Sequence, residues 1–245
     1  MSSFGKIRVD GEGALNFLQE ICTAQINIQI GRIVYTQMLN EKGGIESDLT
    51  ISRLGEKSFL LVVPCATLQR DLSYLNRKNN SNQVMIIDIS SSEGVLSIMG
   101  PNSRKLLECV SPNNFSNSAH PFGTWKNIEI GSGLARAHRV SYVGELGWEI
   151  YISSDQCAHV FEEIWKFQQE MKFNLCGIHA LDSCRIEKAY RHFGHDITDE
   201  DHIVDAGLCF TADLSKKNFE GKESILNKRK IGSGKKMLQF KLNDP

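Results

Sequence analysis

The feature that most constrains this fold is an internal repeat. Ile7-Arg-Val-Asp-Gly-Glu-Gly-Ala-Leu-Asn-Phe-Leu18 reads as a short strand, a glycine turn and an amphipathic helix. Leu96-Ser-Ile-Met-Gly-Pro-Asn-Ser-Arg-Lys-Leu-Leu107 has the same form, and aligning Gly11 with Gly100 gives an offset of 100 − 11 = 89. At that offset Ile7 meets Leu96, Val9 meets Ile98, Phe17 meets Leu106 and Leu18 meets Leu107. The strand-like run from Leu60 to Pro64 falls on the run from Glu149 to Ser153, and a helix is expected after each, over 65–78 and 155–172. In the second helix Ala158, Phe161, Trp165, Gln168 and Met171 recur at three- and four-residue steps, with Ile164 beside them. That spacing predicts one apolar stripe facing a core.

Two copies are too few for a solenoid, which needs at least three. Two strand–helix–strands–helix units, about 1–89 and 90–178, instead predict a pseudo-symmetric α+β domain. Ile45-Glu-Ser-Asp-Leu-Thr-Ile-Ser52 alternates polar and apolar residues. Antiparallel sheets with one covered face read this way, whereas buried parallel strands read as continuous apolar runs. Neither G-x-G-x-x-G nor G-x-x-x-x-G-K-[ST] occurs, which argues against dinucleotide and P-loop folds. A helix over 179–191, a loop-rich stretch to 214 and a helix over 222–229 complete a domain expected to span 1–230. The run from Lys230 to Lys236 reads as a linker, and Met237-Leu-Gln-Phe-Lys-Leu242 alternates like a strand. A terminal strand without a hairpin partner suggests the first strand of a truncated domain, so 231–245 is expected to be the start of something longer.

Charge and cysteine usage narrow the function classes. Lys+Arg 28 against Asp+Glu 29 leaves a net charge of −1, which disfavours broad nucleic-acid binding. The longest apolar stretch, Phe59 to Val63, is far below the ~20 residues of a membrane helix. The opening Met-Ser-Ser-Phe-Gly-Lys has no charged-then-apolar leader, so a cytoplasmic protein is expected. Seven cysteines, none spaced C-x-x-C, read as free thiols rather than a zinc site or disulfide framework. Cys65, Cys157 and Cys184 fall in helix-like stretches and are expected to be small core residues.

Three motifs could carry chemistry. In the first, Gly43-Gly44 joins Tyr35-Thr-Gln-Met-Leu-Asn40 to the strand that bears Asp48. Aspartate is disfavoured in strands, and by spacing alone Asp48 reads as a solvent-facing carboxylate whose replacement changes stability by no more than ~0.5 kcal/mol. A simple hairpin register puts Thr36 opposite it. The second motif, Ser141-Tyr-Val-Gly-Glu-Leu-Gly-Trp-Glu149, gathers Tyr142, Trp148, Glu145 and Glu149 near one bend. It reads either as a hairpin packed by Trp148 or as a carboxylate beside aromatics, able to hold a flat heterocycle by paired hydrogen bonds. The third, Ala180-Leu-Asp-Ser-Cys-Arg-Ile-Glu-Lys188, spaces Arg185 to pair with Asp182 on one helix. His192-Phe-Gly-His195-Asp196 reads as a loop rather than a metal site, with no further ligand cluster around it.

Together these motifs, in this order and across essentially the whole chain, resemble the tetrahydrofolate-binding aminomethyltransferase family. That family includes the glycine cleavage T-protein and the C-terminal half of dimethylglycine and sarcosine dehydrogenases. The resemblance implies two interleaved ferredoxin-like strand–helix units with antiparallel sheets, and a C-terminal barrel that is absent from this chain. It implies Asp48 as the catalytic aspartate, Glu149 as the glutamate that grips the pterin, and Tyr142 and Tyr35 as pocket-lining tyrosines. Leu181 stands where T-proteins commonly carry an arginine, which looks more like the dehydrogenase-linked branch. The implied activity is one-carbon transfer to tetrahydrofolate, in which a carboxylate stabilises a cationic iminium and accepts a proton. The donor would be an amine-derived iminium from an N-terminal flavin oxidase domain, or an aminomethyl group on a lipoyl carrier protein. A folate-dependent demethylase of a sulfonium-type donor and a non-catalytic folate-binding module are the alternatives.

Overall fold

The computed structural model describes residues 4–243. The first copy of the repeat comprises β1 (Phe4–Asp10), α1 (Ala14–Ile21), β2 (Ile33–Leu39), β3 (Ile45–Gly55), β4 (Ser58–Pro64), α2 (Leu68–Lys78) and β5 (Met85–Asp88). The second comprises β6 (Glu93–Met99), α3 (Ser103–Val110), β7 (Trp125–Ile130), β8 (Gly133–His138), β9 (Gly147–Ser153) and α4 (Cys157–Trp165). Each copy makes its own antiparallel sheet, β2-β3-β4-β1-β5 and β6-β9-β8-β7, so the strand order is the same in both apart from the added β5. The register repeats as well: Ile7 pairs with Leu61 and Leu96 with Ile150, and 150 − 61 = 89. Gly11 and Gly100 turn the chain from strand to helix at φ 124° and 120°. A Cβ on Gly11 would lie 2.1 Å from the Gln83 carbonyl oxygen, so only glycine fits there.

Alternation along each strand divides the side chains between two layers. One face of the first sheet (Ile7, Val9, Leu49, Ile51, Phe59, Leu61) is buried beneath Phe17, Leu18 and Ile21 of α1 and Leu75 of α2. One face of the second (Ile98, Trp148, Ile150, Ile152) is buried beneath Leu107 of α3 and Val160 and Ile164 of α4. The opposite faces meet through Leu60 and Val62 from the first sheet and Val95 and Tyr151 from the second. Burying each such aliphatic side chain contributes about 1.5–3 kcal/mol, which drives the two copies together. The polar side of β3 therefore faces the other sheet and not bulk water.

Two expectations about the helices are corrected. The buried face of α4 is Val160 and Ile164, whereas Ala158 and Trp165 are exposed. The helix stops at Trp165 and a separate turn, α5 (Gln168–Met171), follows, so the long stripe never shares one axis. Phe161 stacks on Trp165 at its rim, and Phe173 meets Trp165 edge-on. Cys65 and Cys184 are exposed and Cys157 is only half-buried, while Cys22 is the one in the core.

After the repeat come α6 (Ile178–Glu187), a long irregular segment and α7 (Lys222–Ile231). The irregular segment packs Phe193, Ile197, Ile203 and Leu208 against Leu39 and Ile45 of the first hairpin. Backbone bonds from Ile45 N to Asp201 O (3.2 Å) and from Ile203 N to Gly43 O (3.1 Å) fasten it there. The strand-like run 237–242 has no pairing partner among the described residues. Met237 N–H donates to Asp205 O, but 237–242 lie in no sheet, and Leu238, Phe240 and Leu242 are exposed.

The end of α6 holds Ala189 at φ 56°, with Tyr190 N–H returning to Arg185 O at 3.0 Å. Helices commonly end on such a left-handed residue, usually glycine. An L-residue there costs roughly 1–2 kcal/mol, against ~0.5–1 kcal/mol of extra chain entropy lost by glycine. Ala189→Gly is therefore expected to stabilise the fold by about 0.5–1 kcal/mol, read as a higher urea midpoint at unchanged slope. A lower midpoint would show the cap to be unstrained.

Candidate active site

Asp48 sits on the polar face of β3, and a bulge sets its neighbours. Leu39 pairs with Ile45, but beyond it Met38 pairs with Ser47, so Glu46 is the extra residue. The shift of one position puts Gln37, not Thr36, opposite Asp48, and Tyr35 opposite Thr50. Because a one-residue shift exchanges the faces of a strand, Tyr35 and Gln37 now point to the side that carries Asp48. Thr36 is turned inward, where its hydroxyl meets Thr23 Oγ1 at 3.1 Å.

The carboxylate is consequently well surrounded. Gln37 Nε2 donates to Asp48 Oδ1 at 2.8 Å, and the Tyr35 hydroxyl lies near it on the same strand as Gln37. Burial pushes the Asp48 carboxyl up to about 6, against the lowering effects of Gln37, Tyr35 and the Arg191 guanidinium. Tyr142 is near enough to feel the Asp48 charge, and its hydroxyl donates to Arg191 O at 2.7 Å. Burial pushes the Tyr142 phenol up to about 12 and that of Tyr35 higher, so both stay neutral donors at physiological pH. Tyr35, Asp48 and Tyr142 thus form one cluster.

Glu149 belongs to a different cluster. It lies on β9 opposite Ser97 of β6 and His138 of β8, and is 7% exposed. Its Oε2 accepts the Tyr151 hydroxyl at 2.9 Å, while Oε1 carries no hydrogen bond among the described residues. Burial pushes the Glu149 carboxyl up to about 7, partly offset by Tyr151. The Tyr151 ring lies on His138, 4.2 Å between centroids. Burial holds His138 well below the usual imidazole range, hence neutral, and its Nε2 is buried without a partner. Trp148 is not part of this group. It points to the opposite face, where it packs edge-on to Phe115 and its Nε1 donates to His120. Glu145 is exposed on the preceding bend.

Arg185 is buried to 3% exposure and is structural in its contacts. Its Nε donates to Asp182 at 2.7 Å and its NH1 to Tyr190 O at 3.0 Å, and it also pairs with Asp196. The His192–Asp196 segment is a turn built around that ion pair. Among the described residues no cluster of three or more His, Cys, Asp or Glu could hold a metal, and no helix is long and apolar enough to cross a membrane. Surface clefts of about 320 and 440 Å³ flank the Gly43–Gly44 hairpin, but neither is lined by Asp48 or Glu149.

The residues that sequence reasoning missed are Gln37, Arg191, Tyr151 and His138. Tyr151 was within reach, since it follows Glu149 by two positions in a strand and must share its face. Arg191 comes from the irregular segment and has no local signal.

Two antiparallel sheets from one repeated unit, with a carboxylate beside the first glycine hairpin and another on the equivalent surface of the second sheet, define a class. The chain belongs to the GCVT N-terminal domain family, which it matches over residues 1–216. The resemblance drawn from the three motifs is thereby established. Among known proteins, the 4-methylaminobutanoate oxidase (formaldehyde-forming) of Paenarthrobacter nicotinovorans is 39% identical over 246 residues, covering 100% of this chain and 30% of the oxidase. The aminomethyltransferase of Halothermothrix orenii is 33% identical, covering 99% of this chain and 67% of that protein. The crystal structure of glycine cleavage system aminomethyltransferase T from Bartonella henselae superposes with a TM-score of 0.82 at 25% identity, over 94% of this chain and 62% of that one. The chain thus spans under a third of the oxidase and about two thirds of the aminomethyltransferase.

Proposed function

We propose that this chain binds tetrahydrofolate and transfers a one-carbon unit to it, yielding methylene-tetrahydrofolate. The observation that carries this reading is Asp48, a half-buried carboxylate raised to about 6 and oriented by Gln37. A carboxylate poised in that range is ionised at neutral pH yet basic enough to take a proton. Asp48 stabilises the positive charge of an incoming iminium or aminomethyl donor and accepts the proton released as the carbon is passed on. Tetrahydrofolate, when bound, supplies the nucleophilic nitrogens.

The residues present fit such a ligand. Glu149 keeps one carboxylate oxygen unbonded and His138 one buried ring nitrogen, both on the face turned toward the first sheet. An acceptor held in a low-dielectric setting suits a flat ring that offers an amine and a ring N–H. Tyr35 and Tyr142 flank Asp48 and would face the ligand there. The donor we favour is an amine-derived iminium. Relatives include a 4-methylaminobutanoate oxidase and the human sarcosine dehydrogenase, 35% identical, and this chain corresponds to less than a third of each. The partner is then a flavin oxidase domain, with an aminomethyl-lipoyl carrier protein as the alternative source.

Titrating the full chain with tetrahydrofolate by calorimetry is the first test. The second supplies a methylated amine and its oxidase in trans, and measures methylene-tetrahydrofolate against free formaldehyde. Saturable folate binding with formaldehyde diverted into the folate product is expected. Absence of both overturns the reading.

A further inference from the structure

Asp48 is gripped by one side chain that is itself gripped. An ionised carboxylate only accepts, so the amide of Gln37 must turn Nε2 toward it, as the 2.8 Å contact with Oδ1 requires. That leaves Gln37 Oε1, on a fully buried side chain, in need of a donor. Thr211 Oγ1 lies against it and supplies the bond. The same hydroxyl is 2.8 Å from Leu208 O, but it has one proton, and giving it to Leu208 would leave the amide oxygen unsatisfied.

The short turn carrying Thr211 (Cys209–Thr211) is fastened to the segment that also holds the Gln37 backbone. Asp213 N–H donates to Thr23 O at 2.9 Å. Lys216, buried and without a carboxylate partner among the described residues, donates from Nζ to Cys22 O at 2.7 Å and to Ala24 O at 2.9 Å. Gln37 N–H donates to Thr23 Oγ1 at 3.2 Å and Gln37 O accepts Thr23 N–H at 2.9 Å. The contacts close a ring from residues 22–24 through Lys216 and Thr211 to Gln37, with Asp48 at its open end.

We infer that Gln37, locked by Thr211, is the positioning residue that fixes the direction and proton affinity of the Asp48 carboxylate. This rests on the reading of Asp48 as the proton acceptor. A freely rotating amide would present its oxygen to the carboxylate part of the time and repel it. A locked one always presents its donor, favouring the ionised form. The other groups acting on Asp48 are Tyr35 from β2, Tyr142 from the bend before β9, Arg191 from the irregular segment and Asp71 from α2. The tyrosines stay neutral through pH 5–9. Asp71, raised by burial to about 6, titrates in the same window, so Asp48 must be observed directly.

The test is a carbon-13 NMR titration of the full chain labelled at aspartate carboxyl carbons, with Asp48 assigned from the spectrum of Asp48→Asn. Gln37→Met is expected to raise the pH at which Asp48 takes up its proton by about one pH unit. Thr211→Val should raise it less, and Thr211→Ser should restore it. The acid limb of the pH–rate profile should move with the NMR midpoint. An unchanged midpoint in folded Gln37→Met, or a rate loss without any shift, overturns the inference. If Gln37→Met does not fold, Thr211→Val on the half-buried turn decides alone, and an unchanged midpoint there rejects the lock. A midpoint that shifts as expected in a chain without transfer activity rejects the proposed function and leaves the lock standing.

Discussion

Asp48→Asn is expected to lower one-carbon transfer by roughly 10²–10⁴-fold and, at the same time, to make the protein more stable at pH 8. The two effects have one origin. Burial raises the folded-state pKa of Asp48 to about 6, above the ordinary aspartate value of 3.8. Between those values the folded protein holds a proton that the unfolded chain has released, so ionisation opposes folding. That cost is absent below pH 4, grows as pH rises, and is complete above about pH 7. Asparagine carries no charge and can still accept from Gln37 through its amide oxygen, so the variant escapes the cost, worth about 1–3 kcal/mol. Urea unfolding at pH 8 and pH 4 measures it: the variant should lead at pH 8 and match the parent at pH 4. A variant that transfers carbon at the parental rate would remove Asp48 from the chemistry. One less stable at pH 8 would mean that Gln37, Tyr35 and Arg191 more than offset the desolvation. An activity–stability trade-off of this kind is what a functional carboxylate held in a poor solvent should show.

That expectation differs from the one spacing alone gives, and the reason marks the limit of what could be read from the chain. The repeat, the sheet pattern and the placing of the helices were legible because strand–turn–helix units write local periodicities, whereas the break after Trp165 was not. The 89-residue offset even carries the pairing register of β1 with β4 and β6 with β9. Asp48 looked solvent-facing because alternation says which residues share a face and nothing about what covers it. The second sheet supplies the cover. The bulge at Glu46 was equally hidden, since an extra residue in a strand leaves the composition unchanged while moving every side chain beyond it to the other face. Arg191 acts on Asp48, and Thr211 on Gln37, from an irregular segment held by long-range contacts to the hairpin, where no periodicity exists to read. The alternation of Met237 to Leu242 was read as a strand without its partner, and the run lies in no sheet here, since a strand pattern forms a strand only where an edge is offered to it.

Glu149→Gln is expected to weaken tetrahydrofolate binding about ten- to hundred-fold at pH 8, the equivalent of roughly 1.5–3 kcal/mol for a charge-assisted hydrogen bond. The Tyr151 hydroxyl decides why glutamine fails there. It donates to Oε2, so in the variant the amide oxygen turns to Tyr151 and the NH2 group is left facing the ligand, donor against donor. The pH dependence separates this from a loss of shape. With the carboxyl raised to about 7 by burial, ligand-free Glu149 is largely protonated at pH 6. Binding through the ionised form must then expel that proton, so parental affinity should fall by up to about tenfold per pH unit below 7. Glutamine has no proton to lose, and the contribution of this site to the pH slope should vanish in the variant. Calorimetry on both proteins at pH 6, 7 and 8 is the measurement, with the gap between them narrowing as pH falls. Equal dissociation constants at pH 8 would free Glu149 from any role in holding the ring. Parallel slopes with a constant gap would assign it a packing role, because cavity and shape effects do not titrate whereas a carboxylate that grips a ligand must.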